Sequence, residues 1–233
     1  MVDLKDATVL VTGANGGLGT EFVNQALALG ARRVYAAARN PREWSSDRIV
    51  PLRLDVTDAE SIAAAAQEAS DVDVVINNAG TLLPGKLLDQ SIDEIRGLMD
   101  TNVYGPLLVT KAFAPVLASR GGGAVLNVHS VLSWLAIGGS YSVSKAALWM
   151  TTNVLRLELA SQGTQVVGLH LGYTDTPMVA GVDAEKNDPA DVVRDAYAGL
   201  EAGATEVLAD DVSAAVKAGL AGPIEALYPQ VVG

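Results

Sequence analysis

The chain opens its first apolar run with Thr8-Val9-Leu10-Val11 and continues directly into Thr12-Gly13-Ala14-Asn15-Gly16-Gly17-Leu18-Gly19. The first four residues favour a short buried strand, and the glycines that follow favour a tight turn. From Leu18 the pattern is typical of a helix. The order strand, glycine-rich turn, helix is the start of a βαβ unit, so this stretch indicates an α/β fold.

Further apolar runs lie at residues 34–37, 49–54, 72–76, 124–128, 166–171 and 206–208. They lack a clear two-residue alternation, which is typical of strands buried on both faces. Helical patterns separate most of them, at residues 18–29, 58–69, 91–119, 141–161, 189–202 and 210–218. Pro106 and Pro115 interrupt the third helix, and Asp188 is placed to cap a helix that starts at Pro189. We predict a Rossmann-like, doubly wound sheet of seven parallel strands with helices on both faces.

Length and composition restrict the kind of protein. The 233 residues suffice for one α/β domain with a full core, and no linker-like stretch divides residues 1–233. Without cysteine and with two histidines, the chain has no disulfide and no thiolate metal site, so we expect no metal and an organic cofactor. The net charge of -11 and the absence of a basic run argue against nucleic acid as a partner.

The amino terminus lacks the basic segment and apolar stretch of a signal peptide, and no apolar run reaches membrane-spanning length. We therefore expect a cytoplasmic protein that does not bind membranes.

The glycine-rich turn is a candidate dinucleotide site. Glycines let the backbone approach a pyrophosphate, whose charge a helix N-terminus stabilises. Glycines can also serve a turn alone, and the strand-turn-helix context is what favours binding. The expected contacts are Gly13, Asn15, Gly17, Leu18 and Gly19.

Arg39 follows the second predicted strand, where an acidic residue would favour a free ribose 2′-hydroxyl. A guanidinium suits a 2′-phosphate, so we expect NADP(H) rather than NAD(H). Arg39 can also be a solvated arginine at a strand end. Arg42 and Arg48 are weaker candidates for the same phosphate.

Tyr141 and Lys145 lie four residues apart on a predicted helix, so their side chains share one face. A free phenol has a pKa of roughly 10. One positive charge at about 4 Å stabilises the phenolate by about 4 kcal/mol at an effective dielectric near 20. We therefore expect Lys145 to lower the pKa of Tyr141 and make it a general acid/base near neutral pH, although the spacing also occurs on solvated helix faces.

Several motifs in order along nearly the whole chain resemble the short-chain dehydrogenase/reductase family. Its T-G-x-x-x-G-x-G turn matches residues 12–19, its N-N-A-G motif matches residues 77–80, and its Y-x-x-x-K motif matches Tyr141 and Lys145. The resemblance implies an NAD(P)-dependent enzyme that interconverts a carbonyl and an alcohol.

The resemblance also implies roles for single residues. Ser130 corresponds to the family's substrate-orienting serine and Asn102 to its helix asparagine, which positions a water for proton relay. Ser133 is an alternative to Ser130, and Asn102 can instead cap a helix beginning near Val103. With Tyr141 and Lys145 they form a catalytic tetrad.

Further cofactor contacts follow from the same resemblance. They are Asp55 and Val56 toward the adenine, Asn78, Ala79 and Gly80 after the fourth strand, and Thr174 and Thr176 toward the nicotinamide amide and a phosphate. Asp55 can also serve only the turn before Asp58.

The chain departs from the family pattern after the sixth strand, where Leu171 replaces a usual proline. We expect a less rigid loop there, because the fixed proline φ is missing. The segment from Ser130 to Tyr141 is also shorter than usual, and residues 177–188 are the expected substrate cover.

Residues of apolar character are candidates for lining a substrate pocket, and they can equally belong to the core or an interface. They are Leu82, Leu132, Trp134, Ile137, Tyr173, Met178 and Val179. His129 and His170 lie beside apolar strand residues and are expected to be packed or hydrogen-bonded rather than catalytic.

The leading hypothesis is an NADP(H)-dependent oxidoreductase acting on a small to medium apolar ketone, aldehyde or alcohol. A nucleotide-binding sensor without turnover and an epimerase or dehydratase of the same family are the alternatives. The family resemblance and the apolar long helices imply a homodimer or homotetramer.

Overall fold

The computed structural model describes residues 2–228. Within that range, seven parallel strands form one sheet in the order β3-β2-β1-β4-β5-β6-β7. They are β1 (Thr8–Thr12), β2 (Arg33–Ala38), β3 (Ile49–Arg53), β4 (Val74–Asn77), β5 (Gly123–Val128), β6 (Thr164–His170) and β7 (Glu206–Leu208). The predicted Rossmann-like, doubly wound parallel sheet is confirmed.

The α-helices of the described residues are α1 (Gly17–Ala28), α2 (Ala59–Glu68), α3 (Ile92–Met99), α4 (Gly105–Ser119), α5 (Ser140–Glu158), α6 (Pro189–Glu201), α7 (Asp211–Gly219) and α8 (Ile224–Leu227). Side chains cap several of them. The predicted cap of α6 is present, because the Asp188 carboxylate accepts the Ala190 N–H at 2.8 Å and Pro189 occupies the first turn.

Strands β1 to β6 each contribute to two cores, one on each face of the sheet. Val9 and Val11 of β1 point into the core formed with α1 and α6, whereas Leu10 points into the core formed with α2, α4 and α5. Both faces are therefore covered, as the apolar runs without alternation predicted.

The third predicted helix is divided differently from our expectation. α3 ends at Met99, a π-helical segment spans Asp100–Tyr104, and α4 starts at Gly105. The Gly105 N–H bonds the Asp100 carbonyl five residues back, just before Pro106, which has no N–H to offer. The break therefore precedes Pro106, and Pro115 lies inside α4.

The strand order reverses at β1, which pairs with β2 on one side and with β4 on the other. In open α/β sheets, a crevice for ligands forms at this switch point beyond the carboxyl ends of the strands. The glycine turn after β1 and residues 78–80 after β4 meet at this crevice.

Candidate active site

The turn after β1 is fastened to the loop after β4. The Thr12 hydroxyl accepts the N–H groups of Asn78 and Ala79, each at 3.0 Å. The Asn78 amide in turn donates to the carbonyls of Thr12 and Gly13, at 2.9 and 3.2 Å. Asn78 and Ala79 therefore stabilise the conformation of the glycine turn.

The amino terminus of α1 is open. Its cap residue Gly16 provides no side-chain hydrogen bond, and the first turn contains no acidic residue. A Cβ added at Gly16 would meet nothing within 4 Å, whereas at Gly13, whose φ is +67°, it would lie 2.9 Å from Ala79 Cα. The turn thus presents free helix N–H groups to an open crevice, an arrangement that fits a pyrophosphate.

A second charged region lies at the carboxyl ends of β2 and β3. A cleft of about 480 Å³ contains Arg39 and, because Ala38 and Arg53 are paired in the sheet, also Arg53. Its other lining residues are Asn40, Asp55, Asp58, Glu60, Ser61, Ala64, Ala65 and Glu68. Asn15 connects the cleft to the glycine turn, since its amide donates to the Asn40 carbonyl at 2.7 Å.

The two weaker arginine candidates are engaged elsewhere. The Arg42 guanidinium stacks on Trp44 at 4.1 Å from the ring centroid. Arg48 donates to the Ala31 carbonyl at 3.1 Å. Arg53 was missed from the sequence, because its proximity to Arg39 depends on the register between β2 and β3.

Asp55 and Val56 border this region with different environments. The Asp55 carboxylate accepts the Thr57 N–H at 3.0 Å, and this bond, with smaller effects that include Arg39, lowers the pKa of Asp55 below its ordinary value. Val56 is buried and packs against Gly105, where an added Cβ would lie 3.0 Å away. Asp55 thus has the turn-forming role that the sequence left open, and it also lines the cleft.

Tyr141 and Lys145 lie on the first turns of α5. The Lys145 ammonium is buried, donates to the Val128 carbonyl at 2.8 Å, and lies 5.6 Å from the centroid of the Tyr141 ring. Tyr141 is half-buried. The cation is therefore anchored at the end of β5 and lies over the phenol ring.

The expected lowering of the Tyr141 pKa is wrong for this structure. Burial raises the pKa of Tyr141 to about 12 and lowers that of Lys145 to about 8. The loss of solvation exceeds the attraction of a cation that is 5.6 Å from the ring. At neutral pH the phenol is therefore protonated and most Lys145 side chains are charged.

Ser130 and Ser133 differ in what surrounds them. The Ser130 hydroxyl oxygen accepts the Leu132 N–H at 3.1 Å, which leaves the hydroxyl proton for another acceptor. Ser133 is buried, and its hydroxyl has no partner among the described residues. Ser130 is the more accessible of the two.

Asn102 lies in the π-helical segment, and its side chain is buried. Its amide oxygen accepts the Thr81 N–H at 2.8 Å, while its nitrogen donates to the Thr81 carbonyl at 2.9 Å and to the Ser144 hydroxyl at 3.1 Å. The amide therefore ties the loop after Gly80 to the helix that carries Tyr141. Its assigned water-positioning role stays a prediction.

Buried polar side chains connect β4 to α5 beneath the site. Asn77 donates to Asn127 at 2.8 Å, and Asn127 donates to Thr152 at 2.8 Å. Thr152 lies 3.0 Å from the Nε2 atom of His129. The sequence offered no signal for this row of hydrogen bonds, because the residues that form it are far apart in sequence.

The loop after β6 is fastened despite the missing proline. The Asp210 carboxylate accepts the Gly172 N–H at 2.6 Å and the Asn187 amide at 2.7 Å, and the Leu171 carbonyl accepts the Val131 N–H at 2.8 Å. Asp210 thus supplies a constraint from the start of α7, and the expectation of a less rigid loop stays a prediction.

Thr174 and Thr176 occupy different positions in this loop. Thr174 is buried and bonds the Gly172 carbonyl at 3.3 Å. Thr176 is half-buried beside the glycine turn, since an added Cβ at Gly17 would lie 3.3 Å from it. Thr176 thus faces the region where a pyrophosphate fits.

The segment between Ser130 and Tyr141 is held from two sides. The Ser142 hydroxyl donates to the Leu135 carbonyl at 2.6 Å and accepts the Gly138 N–H at 3.0 Å. The Tyr228 hydroxyl accepts the Ala136 N–H at 2.9 Å. These bonds hold the segment between Ser130 and Tyr141 in place. It is the segment whose short length predicted a change in the pocket wall.

The apolar candidates for the pocket separate into two groups. Trp134 is buried in the interior, whereas the others keep some exposed surface. The more exposed ones are Leu82, Ile137, Tyr173 and Met178. The cover segment 177–188 starts with a single 3-10 turn, Pro177–Val179.

Residues 2–228 contain no group of three or more acidic or histidine side chains placed to bind a metal ion. No helix in this range is both long and apolar enough to cross a membrane.

Comparison with known proteins agrees with this geometry. The short chain dehydrogenase family profile matches residues 7–187. An uncharacterized oxidoreductase of Staphylococcus aureus is 31% identical over 207 residues, which cover 82% of this chain and 90% of that protein. The ketoacyl reductase HetN of Nostoc is 30% identical over 220 residues, which cover 83% of this chain and 76% of HetN.

A solved structure is also similar over the full length. The short chain dehydrogenase from Burkholderia cenocepacia in complex with NADP is 35% identical, with a TM-score of 0.93 and 100% of both chains covered. With the parallel sheet, the glycine turn and the Tyr141/Lys145 helix, these matches lead to one conclusion. The chain belongs to the short-chain dehydrogenase/reductase family of oxidoreductases.

Proposed function

We propose that the protein is an NADP(H)-dependent oxidoreductase that interconverts a ketone or aldehyde and an alcohol, with Tyr141 as general acid/base. The observation that carries the proposal is the phenol of Tyr141 beside the anchored ammonium of Lys145. A proton donor of this kind is needed where a carbonyl oxygen becomes an alkoxide. The ketoacyl reductase among the relatives supports a carbonyl substrate.

The chain's own residues divide the work of reduction. A bound nicotinamide dinucleotide would supply the hydride. Tyr141 donates its proton to the carbonyl oxygen of the substrate. Ser130 donates a hydrogen bond to the same oxygen, because the Leu132 N–H occupies only the oxygen of the Ser130 hydroxyl and leaves its proton free. Lys145 supplies the positive charge that favours the phenolate left after proton transfer. Asn102 holds the loop after Gly80 against α5 and thereby supports the site.

NADP(H) is favoured over NAD(H) by the two arginines of the cleft at β2 and β3, and not by its net charge, since four carboxylates also line it. Arg39 and Arg53 both line it, and a 2′-phosphate is the cofactor group that two guanidinium groups suit. The relative from Burkholderia cenocepacia was solved with NADP, which supports the same assignment. The open terminus of α1 and the proximity of Thr176 to the glycine turn support a pyrophosphate site there.

We further propose that the substrate is small to medium and apolar and that the protein forms a homodimer or homotetramer. The partly exposed apolar side chains near the site support the substrate class. The α5 helix exposes Val143, Met150, Val154 and Leu157 at helical spacing, and the 80% exposure of Leu157 is unusual for a leucine that contacts only its own chain.

The test of the reaction is a screen of NADPH oxidation over a panel of ketones, aldehydes and β-ketoacyl thioesters. We expect turnover with at least one class of carbonyl. A protein that binds NADPH and oxidises it with none of them would instead support a nucleotide-binding sensor.

A further inference from the structure

The two histidines of the chain form a buried stack directly behind Ser130. His129 follows β5 and His170 ends β6, and their ring centroids are 4.7 Å apart with an interplanar angle of 12°. Trp134 stacks on His170 at 4.0 Å and 16°. His129 and Trp134 cannot both stack on the same face of His170 at these distances. The His170 ring therefore lies between the other two rings. The reaction proposed above gives none of these rings a role.

The hydrogen bonds of Thr152 determine which nitrogen of His129 is protonated. The Thr152 hydroxyl donates its proton to the Leu148 carbonyl at 2.8 Å. Its oxygen therefore acts as acceptor toward the His129 Nε2 atom at 3.0 Å. His129 accordingly carries its proton on Nε2, while its Nδ1 atom has no partner among the described residues.

His170 has the opposite arrangement. Its Nδ1 atom lies 3.4 Å from the Ser130 carbonyl oxygen, which can only accept a hydrogen bond. A proton on Nδ1 makes this bond, whereas a bare Nδ1 would face the carbonyl with its lone pair. The Nε2 atom lies 3.6 Å from the Glu206 carboxylate, beyond hydrogen-bonding distance.

Burial keeps His170 neutral although the nearby Glu206 carboxylate raises its pKa. Lys145 approaches from α5 and Lys217 from α7, and the Glu206 carboxylate is occupied by Lys217 at 2.7 Å and by Trp149 at 2.8 Å. His129 lies beside the ring, and Arg156 acts on His129 from α5. Burial is the main reason that the pKa of His170 falls to about 4. One proton therefore remains on the ring at neutral pH.

We propose that His170 is a positioning residue for Ser130: its Nδ1–H holds the Ser130 carbonyl, and the rings of His129 and Trp134 fix its orientation. Ser130 is then held at its carbonyl by His170 and the Ser133 N–H, and at its hydroxyl oxygen by the Leu132 N–H. The hydroxyl proton stays directed toward substrate. The effect on catalysis rests on the proposed function, whereas the protonation of His170 does not.

The first test is therefore made without substrate. Two-bond ¹H–¹⁵N correlation spectra at pH 7 distinguish the two histidine tautomers, and only two rings contribute. His129→Asn assigns the signals. We expect the Nδ1–H tautomer for His170 and the Nε2–H tautomer for His129. The Nε2–H tautomer for His170 would overturn the proposal.

The second test uses two substitutions whose amide groups lie at different distances from the backbone. In His170→Asn the amide takes the place of Nδ1, whereas in His170→Gln it takes the place of Nε2. With a carbonyl that the wild type reduces, we expect His170→Asn to keep kcat within about twofold and His170→Gln to lose about tenfold, the effect of one hydrogen bond. The KM for NADPH should stay unchanged in both.

Equal losses of kcat in the two variants, or losses that follow the melting temperature, would overturn the positioning role. A wild type that reduces no carbonyl would overturn the proposed function instead, and the spectra would still decide the protonation of His170.

Discussion

At the scale of single residues, we expect Lys145 to give the site its pH dependence. Burial lowers its pKa to about 8, so the ammonium loses its proton as the pH rises through that value. Because the reaction needs the charged form, kcat/KM for reduction should fall above about pH 8. Tyr141 does not set this limit, since its pKa of about 12 keeps it protonated.

Lys145→Arg tests this assignment, because a guanidinium stays charged at every working pH. The maximal rate should fall, since the geometry changes, but the decline near pH 8 should disappear from the profile of kcat/KM against pH. The control is Lys111→Arg at an exposed position of α4. An unchanged decline in Lys145→Arg would show that another group titrates there.

We also expect single side chains to decide the choice of cofactor. Arg39→Ala and Arg53→Ala should each weaken NADPH binding about tenfold to hundredfold, the range for a hydrogen bond to a charged group, while NADH binding stays constant. Fluorescence titration measures both affinities. Arg42→Ala and Arg48→Ala are matched controls, because these guanidinium groups are engaged with Trp44 and with the Ala31 carbonyl. Equal affinities of the wild type for NADH and NADPH would refute the assignment.

At the scale of elements, the start of α5 depends on Gly139. Its φ is +57°, and an added Cβ would lie 2.5 Å from the Gly85 carbonyl oxygen. Gly139→Ala should therefore reduce the free energy of unfolding by at least about 2 kcal/mol, from backbone strain and the clash together. Urea denaturation measures the change.

Gly97→Ala is the control, since Gly97 lies within α3 and an added Cβ meets nothing within 4 Å. Alanine at that position should stabilise the protein by about 0.5–1 kcal/mol. Similar destabilisation by both substitutions would contradict this account of the α5 start.

The secondary-structure elements also differ in whether the sequence alone predicts them. The glycine turn and the buried strands were predictable, because their signals are local. The π-helical segment was not, because Pro106 signals a break in the helix but not the bond from the Gly105 N–H to the Asp100 carbonyl before it. The same holds for Asp210, which fastens a loop 38 positions away, and for Arg53, whose proximity to Arg39 follows from strand register.

At the scale of the whole molecule, the buried histidines make stability depend on pH. Burial lowers the pKa of His129 well below its usual range and that of His170 to about 4. The unfolded chain therefore binds protons first, and stability is lost as the pH falls from about 6.5 to about 4. The shift of His170 alone corresponds to a loss on the order of 3 kcal/mol.

Denaturation curves at pH 7 and pH 4.5 measure this loss, which should be smaller in His170→Asn than in the wild type. Asp55 and Asp210 do not act in this window, because the stabilisation from their lowered pKa values is lost only near pH 4 and below. An equal loss in both proteins would assign the pH dependence to other groups.

Our central claim is that Tyr141 is the proton donor of a carbonyl reductase. The most direct measurement compares wild type and Tyr141→Phe in two assays, NADPH titration and NADPH oxidation with a carbonyl that the wild type reduces. We predict the same affinity for NADPH and a rate at least about a hundredfold lower in the variant, the contribution of one general acid. An unchanged rate of oxidation in Tyr141→Phe would contradict the account.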